Sequence, residues 1–445
     1  MYANLEIISN NTYKFSQFSY KVPEKLNNKI TVGTLVEVLF RNKKKIGVIT
    51  SFTSEEPNFK VNSLIKIYNK QLNKDQLNYV KAVAVTNHLN LGFCLNSYVK
   101  LDSLHSQNKL NHSSIENIYI DKVINIKFDK SKSHIFIVSS LKESKDLYEK
   151  LKNILEFSFY QKFGGVDEAN NYLKNYKKGN MILLNTNFEK LIINENSKYY
   201  FFNSNATSFR LPKLNNLNII ESAYLKNLFF GGEFVFLNEF PNFEFNRFEN
   251  INNYEFDFDI EYFLGNTTQE AITLFNSKIE NNFNYYSPDK IDNLNLNYLD
   301  YDDIKNSDCL VILNPTISTN GVLNSYKLIF LLKLLRYFKN NKKKIYCISN
   351  KDLNISNSLY SKNLYNWIQK EVSIRKKYGP NLTKKIFTTT TDVKLDYQHR
   401  NLKGPIKNNE NYLYELELDI DNDYVQVNDI FKNLYEYELK RVRFI

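Results

Sequence analysis

Between Phe18 and Phe52 the chain carries two runs with the polar–apolar alternation of strands, Val32 to Phe40 and Lys45 to Phe52. In Leu35-Val36-Glu37-Val38-Leu39-Phe40 the β-branched and aromatic content favours strand over helix. The joining residues Arg41-Asn42-Lys43-Lys44-Lys45 are polar and cationic, which predicts an exposed hairpin turn with its positive charge gathered at one tip. Turn signals at Asn10-Asn11, Asn27-Asn28 and Glu56-Pro57 complete a small β-rich unit over residues 1 to about 70. The period then changes. From Lys74 to about Tyr98, after an Asn73/Asp75 start, Leu77, Val80, Ala84 and Val85 fall on one face of a helix.

Residues 100 to about 128 read as a polar connector ending in a strand, Val123 to Ile126. Beyond it strands and helices alternate. His134 to Val138 predicts a buried strand and Ser139 to Phe157 a helix, with Leu147, Leu151, Ile154 and Leu155 on one face. Further strands are expected at Met181 to Leu184, Tyr199 to Phe202 and Glu233 to Leu237. That order argues a mostly parallel sheet with helices on both faces. In Tyr254 to Glu261 acidic and apolar residues alternate, which places the acids on the solvated face of a strand rather than in a metal cluster. A second α/β unit follows. A helix opens after Gly265-Asn266-Thr267, strands are expected at Cys309 to Leu313 and Lys344 to Ile348, and a helix between them runs through Leu335. The C-terminal part predicts strand, short helix and terminal strand, a compact α+β unit.

Composition narrows the functional classes. Across 445 residues 42% are apolar and 15% aromatic, so the chain folds, and its length allows several domains. The formal net charge of +11 favours polyanionic partners. Most of that charge is Lys, which binds phosphate as a point charge and does not read bases as Arg does. Asn, Lys, Ile, Tyr and Phe are abundant throughout, so a lysine cluster also has an ordinary reading as solubilising surface. The N-terminus shows no cationic segment followed by an apolar core, so no secretory signal is expected. No apolar run approaches the roughly 18 residues of a membrane span, and Lys333 interrupts the best one, Leu328 to Leu335. No membrane partner and a cytoplasmic, nucleoid-associated location are expected.

Candidate chemistry is sparse. Cys94, Cys309 and Cys347 are far apart, which argues against a disulfide framework or a cysteine zinc site. His88, His105, His112, His134 and His399 lack partners at metal-ligand spacing. A phosphate-binding loop needs G-x-x-x-x-G-K-[ST], because closely spaced backbone N–H groups must wrap a phosphate. None of the 12 glycines is followed by Lys-Ser or Lys-Thr. No ATP or zinc site is recognisable, and no cofactor is expected.

The hairpin carries a sharper signal when read with its neighbours. Phe18-Ser19-Tyr20, Val22-Pro23-Glu24, the run from Val32 to Phe40, the basic turn, Ile46-Gly47-Val48-Ile49 and the following strand and helix resemble the N-terminal domain of the PriA family, the bacterial primosomal protein N′ or replication-restart helicase. That domain binds the 3′ end of the nascent strand at a stalled fork. The aromatics of the family's F-D-Y are kept as Phe18 and Tyr20, with Ser19 in place of the acid. Arg41 stands where the family has a pocket glycine, and Lys66 lies one residue beyond the family's lysine position. The resemblance extends to Trp367 to Glu371 followed by Ile374 to Pro380, which together look like E-x-x-x-R-R-x-x-G-Y-P-P, to Leu402-Lys403-Gly404-Pro405, and to the terminal Arg441-Val442-Arg443-Phe444-Ile445. In between it is topological. Phe202-Asn203-Ser204-Asn205 stands at the acidic D-E-E-H box, Asn238-Glu239-Phe240-Pro241 at S-A-T-P, and Lys333 to Asn340 at the arginine-finger motif. Arg336 is one residue out of that register and reads as a surface residue on an apolar helix. The winged helix and the zinc module of the family have no counterpart in the sequence.

The resulting expectation is a multidomain α/β protein. A β-rich DNA-binding domain spans 1–100 and a connector 101–128. Degenerate RecA-like lobes follow over 129–252 and 253–362, and a small α+β domain closes the chain over 363–445. The resemblance implies a DNA-binding surface from Phe18, Tyr20, Arg41, Lys43, Lys44, Lys45 and Lys66, joined by Arg375, Lys376, Lys377, Lys440 and Arg441. Implied partners are forked or single-stranded DNA, the single-stranded DNA-binding protein and other primosome proteins. The implied function is a fork-DNA scaffold in replication restart without ATP-driven unwinding. An active ATP-dependent 3′-5′ helicase, and an interaction module that binds no DNA, are the alternatives.

Overall fold

The computed structural model of the chain describes residues 1–8, 17–57, 61–86, 90–98, 101, 104, 106–119, 126–160, 169–170, 179–204, 209–211, 217–240, 258–279, 285–287, 304, 306–315, 318–319, 322–323, 325–350, 366, 384–391, 394, 402–408, 411–419 and 441–444. Strands β1 (Tyr2–Ile7), β2 (Gln17–Lys21), β3 (Thr34–Phe40), β4 (Lys43–Thr53) and β5 (Lys66–Gln71) form an antiparallel sheet in the order β2-β1-β4-β3-β5. Its alternation separates two faces. Val36, Val38 and Ile49 point into the sheet's own core with Leu5 and Tyr20, whereas Leu35 and Val48 point the other way into a larger core.

That larger core is shared with the next layer. Helix α1 (Lys74–Thr86) starts in a reciprocal capping box, Gln76 N donating to Asn73 Oδ1 at 2.9 Å and Asn73 N to Gln76 Oε1 at 2.9 Å. Its Tyr79, Val80 and Val83 are fully buried. They pack on one face of a six-stranded sheet built from β6 (Ser113–Tyr119), β7 (Ser133–Val138), β8 (Phe157–Tyr160), β9 (Asn180–Leu184), β10 (Ser197–Phe202) and β11 (Gly232–Asn238). The order is β6-β11-β10-β7-β9-β8 and every pairing is parallel. Ile135, Ile137, Phe201 and Phe236 face α1 and helix α3 (Ile219–Phe230); Phe136, Val138, Tyr200 and Val235 face helix α2 (Leu141–Leu151). Burial on both faces explains why these strands read as continuous apolar runs.

Within the interval read as a connector, Ser113–Tyr119 is an edge strand of this sheet, and Ile126 lies outside any strand; Val123 to Asn125 lie outside the described residues. The helix expected over Ser139 to Phe157 ends at Leu151, and Phe157 begins β8. Ile154 is consequently exposed rather than part of an apolar face, while Leu155 and Phe157 still pack beneath α2.

A second, three-stranded parallel sheet consists of β12 (Glu261–Gly265), β13 (Cys309–Leu313) and β14 (Lys344–Asn350) in the order β12-β14-β13. Helices α4 (Thr268–Lys278) and α5 (Ser325–Asn340) cover its opposite faces, Phe275 packing with Val311 and Tyr346, and Leu331 and Leu335 with Leu310 and Ile312. Over its described part the acidic stretch keeps the expected alternation, Asp259 and Glu261 exposed and Phe258 buried in the α5 core, but strand begins only at Glu261; Tyr254 to Asp257 lie outside the described residues. Strands β15 (Lys384–Thr391), β16 (Leu402–Asn408), β17 (Asn411–Asp419) and β18 (Arg441–Phe444) form an antiparallel sheet in the order β16-β17-β15-β18. Tyr414, Tyr412 and Leu402 rest on the large core; the short helix expected here lies outside the described residues.

One buried charge organises the contact between α1 and the six-stranded sheet. Lys226, alone among the apolar residues of α3, donates to the carbonyls of Phe188, Glu189 and Leu191 at 3.0, 3.2 and 2.7 Å. These carbonyls close the 3₁₀ turn Asn185–Lys190, so the ammonium caps its C-terminal end. Its charge also lies over the rings of Phe188 and Tyr79, and the Tyr79 hydroxyl donates to Glu189 Oε2. Burial pushes Lys226 down to about 8, opposed by Glu189.

Replacing Lys226 by Met removes a donor from three buried carbonyls, of which that of Phe188 keeps its bond from Leu191 N, and should cost about 3–5 kcal/mol in urea unfolding at pH 7, the range for breaking a buried charged network. The pH dependence carries a second signature. The unfolded chain keeps this proton to about 10.5 while the folded chain releases it from about 8. Wild-type stability relative to Lys226→Met should therefore rise across that window and fall as pH drops through about 8.

Candidate nucleic-acid interface

The hairpin tip is tighter than its composition suggests. Phe40 pairs directly with Lys43, leaving Arg41 and Asn42 as a two-residue turn with φ values of 48° and 58°. Two positive φ values define a type I′ turn, whose twist matches that of the flanking strands. Asn tolerates this conformation readily; Arg41 does not, and its position in the turn is imposed by the strand register.

That register divides the lysines, which were expected to share one tip. Lys43 and Lys45 lie opposite Phe40 and Val38, on the face of the small core, and Lys44 lies opposite Leu39 on the other face. Lys44 Nζ is 3.1 Å from Glu37 Oε1, and the Tyr68 hydroxyl donates to Glu37 Oε2 at 3.1 Å. Lys66, opposite Glu37 on β5, holds its ammonium 5.3 Å from the Tyr68 ring. The Lys44 contact, with help from Tyr68 and Lys66, holds the Glu37 carboxyl below its usual range. On this second face Glu37 thus offsets one of the two lysine charges.

The first face carries an aromatic ladder beside its lysines. Half-buried Phe18 and Phe40 pack with ring centroids 4.6 Å apart, and the Arg41 guanidinium sits 5.4 Å above the Phe40 ring. Rings with a cation above them and ammonium groups alongside provide a stacking surface for bases and point charges for phosphates. Tyr20 has a different place: it is buried, and its hydroxyl reaches the Leu39 carbonyl at 3.3 Å, so it braces β3 from beneath. Ser19 points to the opposite face, where it donates to Asn4 Oδ1 at 2.8 Å.

The structure therefore brings Phe18, Arg41, Lys43 and Lys45 together and sets Lys44 and Lys66 on the other face. Arg375, Lys376, Lys377 and Lys440 lie outside the described residues, and Arg441 opens β18 with its side chain undescribed. Phe40 was passed over as a stacking partner in the sequence, although the two-residue turn places it across from Lys43. Among the described residues no group of three or more His, Cys, Asp or Glu could hold a metal ion, and no helix is long and apolar enough to cross a membrane.

Most of this antiparallel sheet, from the end of β1 onward, and its first helix fall within a known domain. Residues 7–100 match the family model of the PriA 3′DNA-binding domain (3′BD). The match ends before the first parallel strand, and DNA binding is the property it supports for this segment. No curated protein matches the chain. Among solved structures, the arterivirus nonstructural protein 10 (helicase) in complex with DNA is similar at 9% identity, with 79% of each chain covered and a TM-score of 0.30. A likeness that weak carries no argument here.

The pairing of Glu37 gives a local check on the division of faces. Lys44→Ala should raise the Glu37 pKa toward its ordinary value in an NMR titration, whereas Lys43→Ala and Lys45→Ala should leave it in place.

Proposed function

We propose that this chain is a PriA-like replication-restart protein that holds forked or 3′-tailed DNA through its N-terminal sheet. It acts as a scaffold without ATP-driven unwinding. The observation that carries the reading is the match of residues 7–100 to the 3′DNA-binding domain, on the same sheet whose outer face gathers Phe18, Phe40, Arg41, Lys43 and Lys45. The rings offer a platform that is indifferent to sequence, and the lysines track phosphates. Arg41 adds a cation to the stack, which favours a phosphate-bearing nucleotide there. Other primosome proteins and the single-stranded DNA-binding protein are partners on this reading.

The scaffold part rests on sequence chemistry. Nucleotide hydrolysis needs backbone N–H groups wrapped on phosphates and a carboxylate that holds Mg²⁺. The chain has no G-x-x-x-x-G-K-[ST] segment, and β10 ends at Phe202 and runs into Asn203-Ser204, with no acid.

A fluorescence-anisotropy titration with 3′-tailed and forked DNA tests the reading. Affinity should fall steeply with salt, and each of Lys43→Ala and Lys45→Ala should lower the log K against log salt slope by about one. Phe40→Ala should cost about 1–3 kcal/mol of binding, the range for a lost stacking contact. Lys44→Ala should change little. DNA-stimulated ATP hydrolysis that copurifies with the protein would favour a working helicase, and absence of binding at low salt would leave an interaction module.

A further inference from the structure

Open α/β sheets hold ligands at the carboxyl ends of their strands. In this chain the ends of β10 and β11 are met by side chains of the second unit, and the end of β7 is joined to them through its own helix. After β7, Ser140 Oγ accepts from Glu143 N at 3.2 Å, and Glu143 Oε2 turns back to accept from Ser139 N at 2.9 Å. The first turn of α2 is thereby capped by its own carboxylate. The other carboxylate oxygen, Oε1, accepts from Asn203 Nδ2 at 3.0 Å. Asn203 follows β10 with a φ of 55°, and its Oδ1 accepts from Lys333 Nζ of α5 at 2.8 Å.

One turn further along α5 lies Arg336, expected at the surface and found buried at 7% exposure. Its Nη1 donates to the Glu239 carbonyl at 2.9 Å and lies 3.9 Å from the Glu239 carboxylate. The guanidinium stacks 4.1 Å from the centroid of Phe240. Phe240 follows β11, yet it is fully buried among Leu328, Leu331 and Leu335 of the second unit's core. The i, i+3 spacing puts Lys333 and Arg336 on the same side of α5, so one helix supplies both cations and the socket for the ring.

We propose that α5 latches the two α/β units into one body: Phe240 plugs the second core, and Lys333 and Arg336 fill the crevice at the carboxyl ends of the first sheet. A ligand shifts a conformational equilibrium only by its differential affinity for the two states. A molecule bridging the units must first displace Lys333 from Asn203 and Arg336 from Glu239. The relative placement of the units is then set by the chain's own side chains and not by a bound nucleotide. This deepens the scaffold reading above and rests on it, because a latched pair of units cannot cycle with hydrolysis.

Spin labels on the full chain at Lys145→Cys and Gln269→Cys, exposed on α2 and α4, report the distance between the units, with half-buried Cys309 replaced by Ser. Wild type should give one narrow distance that moves with neither Mg–ATP nor 3′-tailed DNA. Lys333→Met with Asn203→Ala, which leaves the apolar plug intact, should broaden that peak or add a longer one. A wild-type distance that shifts with Mg–ATP, or a variant as narrow as wild type, would overturn the latch. DNA affinity measured on the same samples separates the two claims: an immobile distance without DNA binding defeats the scaffold reading and leaves the latch standing.

Discussion

A single buried ammonium carries the arrangement of the N-terminal half. Lys226 closes the 3₁₀ turn that follows β9, and its charge is shared with the rings of Phe188 and Tyr79. Tyr79 belongs to α1, and its hydroxyl is engaged by Glu189 from that same turn. A cation taken so far from water persists only when every proton finds an acceptor, which fixes α1, α3 and the turn to one mutual geometry. Because α1 also covers the inner face of the antiparallel sheet, Leu35 and Val48 of the hairpin join the same core as Phe201 and Phe236 of the parallel sheet. The sheet that bears Phe18 and Phe40 is thus anchored on the large core.

Strand register does the rest. A two-residue turn obliges Lys43 to face Phe40, and the period of two then sends alternate lysines to opposite faces. One face sets Lys44 and Lys66 around Glu37, which offsets one of the two charges; the other keeps Lys43, Lys45 and Arg41 around two half-buried rings. A one-residue slip would exchange these faces. Which lysines stand beside the rings is therefore a consequence of turn length rather than of how many lysines the segment contains.

Much of this was legible in the sequence where periodicity was strong. The hairpin strands, α1, the buried strands after His134 and the parallel sheets follow from alternation and apolar runs. The ends of elements were less legible: α2 stops at Leu151 because the next residues turn back to feed β8, a tertiary demand. Strand β6 escaped notice because it lies at a sheet edge, where its polar residues face solvent. Arg336 and Phe240 were misread or unremarked for one physical reason, that each is buried by a segment distant in sequence. Lys226 left a visible trace, a lone cation in an apolar helix, but its acceptors lie on a turn 35 to 38 residues away.

The central claim is that DNA lies across the Phe18–Phe40 face of the N-terminal sheet. Photocrosslinking from a 3′-tailed DNA bearing a reactive base near its end, mapped by mass spectrometry, tests it most directly. The account predicts adducts on Phe18, Phe40 and the peptide spanning Arg41 to Lys45. Adducts confined to other parts of the chain, with that peptide unmodified, would contradict it.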